Sequence, residues 1–124
     1  DASRQTLELA LRLVGELKSA FPSDARVLTL SAESAEAVGD LETALDNWRT
    51  LVSASKAGTD EWFTRRLRQL SVLSEVDPAK AREALAQHRT LYPGLGPEPF
   101  RSRFLELEAR IGSESNGGSG GETP

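Results

Sequence analysis

Ala25-Arg26-Val27-Leu28-Thr29-Leu30-Ser31-Ala32-Glu33-Ser34-Ala35-Glu36-Ala37-Val38, then Gly39-Asp40, then Leu41-Glu42-Thr43-Ala44-Leu45-Asp46-Asn47-Trp48-Arg49-Thr50-Leu51-Val52-Ser53-Ala54: the reading of this stretch decides the fold. Two apolar-periodic runs, each about four turns long, flank a two-residue break. Glycine closes a helix cheaply because it enters the left-handed region without a Cβ penalty. Asp40 is placed to cap the next helix, and Glu42 in its first turn meets the positive end of the helix dipole. So short a join leaves only an antiparallel pair. Ala32, Ala35 and Ala44 are small residues placed for close approach of the two helices.

The pattern extends outward in both directions. Upstream, Leu7, Ala10, Leu11, Val14, Leu17 and Phe21 have helical spacing, with Leu9 and Leu13 widening the stripe. Phe21-Pro22 ends that helix, because the residue before proline is pushed out of the helical region. Ser23 or Asp24 then caps the quoted stretch. Downstream, Thr59 or Asp60 caps a helix through Trp62, Phe63, Leu67, Leu70, Leu73 and Val76. Asp77-Pro78 restarts the chain with a cap and a proline at the first helical position. The helix that follows carries Ala81, Ala84, Leu85, His88 and Leu91 and stops at Tyr92-Pro93. After the rigid Pro93–Pro99 connector, Phe100, Phe104, Leu107 and Ile111 form one last stripe.

The expected organisation is therefore an all-α chain of about six helices over residues 1–111. Residues 112–124, rich in glycine, serine and acid, read as a flexible tail or a linker to a further domain.

An internal period supports the pairing. Ala10, Ala44 and Ala81 precede Pro22, Lys56 and Pro93 respectively by twelve residues, and the alanines lie thirty-four and then thirty-seven apart. Val14, Trp48 and Leu85 follow four residues after each alanine, and Leu17, Leu51 and His88 follow seven after. A period of this length with two helices per unit is a solenoid signal, since a lone hairpin cannot bury both faces.

On these residues the chain resembles the tetratricopeptide repeat family. The resemblance rests on Ala32 at the helix crossing, Gly39-Asp40 at the turn, Ala44, Trp48, and the punctuation by Pro22 and Pro93. It covers roughly residues 5–93. Ala25–Gly58 is the good match, whereas the unit from Trp62 has Val76-Asp77 at the turn and Gln69 at the crossing. The resemblance implies a short alpha-alpha superhelix with a concave face that binds a peptide or a helix of a partner protein. That face would draw on Arg26, Thr29, Glu33 and Glu36 from one hairpin, and on Phe63, Arg66, Leu70 and Leu73 from the next. The lysine and asparagine set with which family members grip a terminal carboxylate is replaced here by glutamate, threonine, leucine and one arginine. A basic or amphipathic partner suits such a mixed surface better.

Composition sets the other expectations. A net charge of −4 argues against a nucleic-acid footprint, and no apolar run reaches membrane-spanning length. The absence of cysteine excludes disulfides and thiolate metal sites. The one histidine lacks accompanying ligands at metal spacing, and no nucleophile–base or phosphate-loop motif occurs. No cofactor, metal or catalytic site is expected. A scaffolding or interaction module of a larger, bacterial protein is the leading reading. A structural spacer and a homo-oligomer joined across exposed hydrophobic edges are the alternatives. Trp48, on the stripe with Leu41, Leu45 and Leu51, should be core, while one ring of the adjacent Trp62-Phe63 pair should be partly exposed.

Overall fold

A computed structural model of the chain describes residues 1–120, with side chains described through Gly112. The chain is all-helical: six helices and no strand among the described residues. These are α1 (Ala2–Ala20), α2 (Ala25–Val38), α3 (Leu41–Ala54), α4 (Asp60–Val76), α5 (Pro78–Leu91) and α6 (Phe100–Gly120). The tail expected over 112–124 is described only in part: α6 continues from Ile111 to Gly120, and residues 121–124 lie outside the described residues. The helices sort into two compact units, residues 1–55 and residues 56 onward.

In the first unit, α1 packs on α2 and α2 packs on α3. Each start is capped by an aspartate: Asp1 accepts from the Arg4 amide at 2.8 Å, Asp24 from Arg26 at 2.9 Å, and Asp40 from Thr43 at 3.3 Å. Each such cap contributes on the order of 1 kcal/mol. The α2–α3 reversal is a Schellman turn. Gly39 sits at φ 81°, its amide donates to the Glu36 carbonyl at 3.1 Å, and the Asp40 amide donates to the Ala35 carbonyl at 2.8 Å. The small residues do what their spacing predicts, for Ala32 and Ala44 have no exposed surface and Ala35 is buried. Trp48 is 3% exposed, and its indole N–H donates to Glu36 Oε2 at 2.8 Å. That bond satisfies the one polar atom of a large apolar group. Beside it, Asn47 Nδ2 donates to Ser31 Oγ at 2.8 Å, both side chains being buried.

In the second unit, α4 packs on α5 and α6, and α5 packs on α6. Thr59 caps α4 and Asp77 caps α5, where Pro78 occupies the first turn without wasting a donor. The stripe Phe100, Phe104, Leu107 and Ile111 of α6 is buried throughout. Around it lies an aromatic core. The His88 ring stacks on Phe104 at 4.4 Å, Phe63 stacks on Phe100 at 5.5 Å, and Trp62 meets Phe63 edge-on at 5.1 Å. Phe63 is the buried ring of the adjacent pair and Trp62 the half-buried one.

The connector after α5 belongs to this core. Leu95 is 1% exposed although its φ of 69° is costly for a branched side chain. Its carbonyl lies 2.9 Å from His88 Nε2 and holds the loop in place.

Candidate interaction surfaces

The α2 residues predicted for the partner face lie on one side of that helix, at spacings of three, four and three. Arg26 is exposed and turns back on its own cap, its Nη2 lying 3.3 Å from Asp24 Oδ2. That side-chain bond, with the Arg26 amide, holds the Asp24 carboxyl below its ordinary range. Thr29 is half-buried and donates to the Ala25 carbonyl at 2.8 Å, a bond within its own helix. Glu33 is exposed. Glu36 is half-buried, and one of its oxygens holds the Trp48 indole. Arg26 and Glu33 are thus the outward part of this set.

The α4 half of the predicted face is corrected. Phe63 is 2% exposed, Leu70 0% and Leu73 6%, so all three are core side chains and offer nothing to a partner. Their positions, separated by seven and three, form the apolar stripe that α4 turns toward the interior of its own unit. Arg66 lies on the same stripe and is half-buried with them. It donates from Nη1 to Gln69 Oε1 at 2.9 Å, while its Nε finds no acceptor among the described residues. Burial lowers its pKa from the ordinary guanidinium value. Gln69, polar at the crossing position, serves to receive this arginine. Of the neighbouring cations, Arg65 pairs with Glu61 at 2.7 Å, as the acidic residues nearby suggest.

His88, read from sequence as a position on a repeat stripe, is instead the centre of the second unit. It is 1% exposed, ringed by Trp62, Phe63, Tyr92 and Phe104. Nε2 donates to the Leu95 carbonyl, and Nδ1 has no hydrogen-bond partner among the described residues. Burial lowers the imidazole pKa and the Arg66 charge acts in the same direction, against the pull of the Leu95 carbonyl and Glu108. The ring is a packing and hydrogen-bonding group. No group of three or more His, Cys, Asp or Glu able to hold a metal occurs among the described residues. Nor is any helix among them long and apolar enough to cross a membrane.

The surface that sequence periodicity missed is on the first unit. Only Val14 of α1 is buried. Leu9 is 49% exposed, Leu13 50%, Leu17 40% and Phe21 55%, and Leu30 of α2 is 44% exposed beside them. An open cleft of about 380 Å³ runs between Leu17 and Phe21 on one side and Val27 and Leu30 on the other, with Asp24 and Arg26 at its rim. Five large apolar side chains so grouped exceed the scatter of single exposed residues expected on a monomer. The signal was present in the sequence as the stripe-widening Leu9 and Leu13. A helix with one neighbour can cover only one side of so wide a stripe.

No family model, curated protein or solved structure matches this chain.

Proposed function

We propose that the chain is a non-catalytic, tetratricopeptide-like interaction or scaffolding module, and that its contact surface is the outer face of α1 with the adjoining end of α2. The observation that carries this reading is the exposure of Leu9, Leu13, Leu17, Phe21 and Leu30, the last three lining an apolar cleft. Such a strip fits the apolar side of an amphipathic helix, which would anchor at positions i, i+3, i+4 and i+7. Asp24 and Arg26 at the rim can fix the partner's orientation through a polar pair. The second unit supports a different task. With Phe63, Leu70 and Leu73 in its core, it serves as a rigid spacer.

The test is a displayed library of amphipathic helical peptides selected on the intact chain and counter-screened on Leu13→Glu and Leu30→Glu variants. Both positions are exposed, so circular dichroism should stay unchanged. Enrichment of helices with an apolar stripe, lost on both variants, is the expected result. A library that yields no helical binder, or binders indifferent to both changes, would refute the assignment.

A further inference from the structure

The exposed row of α1 runs beside a second row of unusual regularity. Leu9, Leu13, Leu17 and Phe21 recur every four residues. The flanking row, at the same interval, is Arg4, Glu8, Arg12 and Glu16, alternating in sign along the helix. Arg4 and Glu8 lie 3.6 Å apart and are both largely exposed, so this pair contributes little within the monomer. Arg12 and Glu16 make no ion pair with any described residue.

A row of four evenly spaced charges alternating in sign has a symmetry consequence. Turned end for end, it presents the opposite sign at every position. Two copies of α1 laid antiparallel therefore set cation against anion along the row, whereas a parallel pair sets like against like. A two-fold axis at the height of residue 10, on the side of the charge row, places Arg4 opposite Glu16 and Glu8 opposite Arg12 of the second copy. The same register brings Leu9 and Leu13 into the seam and overlaps α1 from Ala2 to Lys18, about 25 Å at the helical rise. Moving the axis two residues, to Arg12, would oppose Arg12 to itself. The charges thus select both direction and register.

We infer that the occupant of the α1 face is a second copy of this chain, held in an antiparallel, isologous helix pair about Ala10. This rests on the reading of that face as an interaction surface and names its partner. One helix pair buries less than the roughly 800 Å² per partner of a standard interface. The dimer is accordingly weak, titrates with protein concentration, and loosens as salt screens the flanking charges.

The experiment is sedimentation equilibrium of the full chain over a concentration series at low and high salt. It compares wild type with an acidic-row variant (Arg4→Glu with Arg12→Glu) and a basic-row variant (Glu8→Arg with Glu16→Arg). Wild type should show monomer–dimer exchange and each variant alone should be monomeric. An equimolar mixture of the two variants should associate again, a rescue that a misfolded helix cannot give. Direction is read by disulfide formation in this cysteine-free chain. Ala2→Cys mixed with Ala20→Cys should cross-link to each other faster than either does to itself. A wild type that stays monomeric, row variants that dimerise like wild type, a mixture that fails to associate, or preferential Ala2→Cys self-linking would each overturn the inference. If the wild type is monomeric while helical peptides still bind at Leu13 and Leu30, self-pairing alone has failed. If the peptides fail too, the surface itself was misassigned.

Discussion

Acidification should loosen the second unit through His88, and the size of the effect follows from the packing. The ring is 1% exposed, stacked on Phe104 at 4.4 Å, with no hydrogen-bond partner for Nδ1 among the described residues. Charging it in place would bury a cation, near the Arg66 charge, among aromatic rings. Its folded pKa therefore lies below the ordinary histidine value of 6.5. The unfolded chain accepts the proton first, so the stabilisation is complete above that value and drains away as pH falls. One proton can change the unfolding constant by at most tenfold per pH unit. The loss therefore grows below pH 6.5 and stops growing once the folded ring itself takes up the proton.

The assay is urea unfolding followed by Trp62 fluorescence in a Trp48→Phe background, at half-unit pH steps, with and without His88→Phe. The substitution removes the Leu95 hydrogen bond and should lower stability by a constant amount. It should also flatten the slope between pH 6.5 and pH 5, a change that loss of packing alone would not produce. Parallel profiles for the two proteins, or a second unit that gains stability on acidification, would show that the ring is not held neutral by its surroundings.

Three further outcomes are expected. Gly96→Ala should cost about 2 kcal/mol or more in the second unit, because φ is 124° there and the new Cβ would lie 2.7 Å from Phe63 Cε1. Gly39→Ala, with φ 81° but open space, should cost only about 1 kcal/mol in the first, the two being compared by thermal melts. Trp48→Ala should cost roughly 3–5 kcal/mol by urea denaturation, since the site is sealed and cannot collapse fully. Asn47→Ala should cost about 1–3 kcal/mol by stranding Ser31, and pairing Asn47→Leu with Ser31→Ala should recover part of that loss; additive costs would mean the 2.8 Å bond carries no coupling.

What could be read from the sequence was what local chemistry dictates. Gly39-Asp40, Thr59, Asp77-Pro78 and the X-Pro steps at Phe21 and Tyr92 mark helix ends through the conformations those residues permit. Trp48 could be placed inside because it shares a stripe with Leu45 and Leu51, both buried. Of the α2 positions expected on a partner face, spacing matched exposure only at Arg26 and Glu33. On α4 it was misread, since positions 63, 66, 70 and 73 form a stripe whether it meets a ligand or the protein interior. Only knowledge that α5 and α6 cover it settles the choice. The aromatic cluster was illegible for the same reason: it joins α4, α5 and α6 through contacts that no local spacing encodes. For α1 the spacing shows a broad apolar stripe without saying how much of it is covered, and one neighbour covers only its Val14 side.

Both hairpins turn at an aspartate: Asp40 follows the Gly39 cap of α2 and opens α3, while Asp77 both closes α4 and opens α5. Such a pivot has no slack. Adding one residue beside it would swing the following helix by about 100° about its axis. At Asp40 that rotation would carry Ala44, Trp48 and Leu51 away from α2 together. Since Pro93–Pro99 is pinned by buried Leu95 and by Gly96 against Phe63, length variation compatible with this architecture falls most readily in the exposed Lys56–Gly58 segment. There the chain can gain or lose residues without turning a helix out of phase with its neighbour.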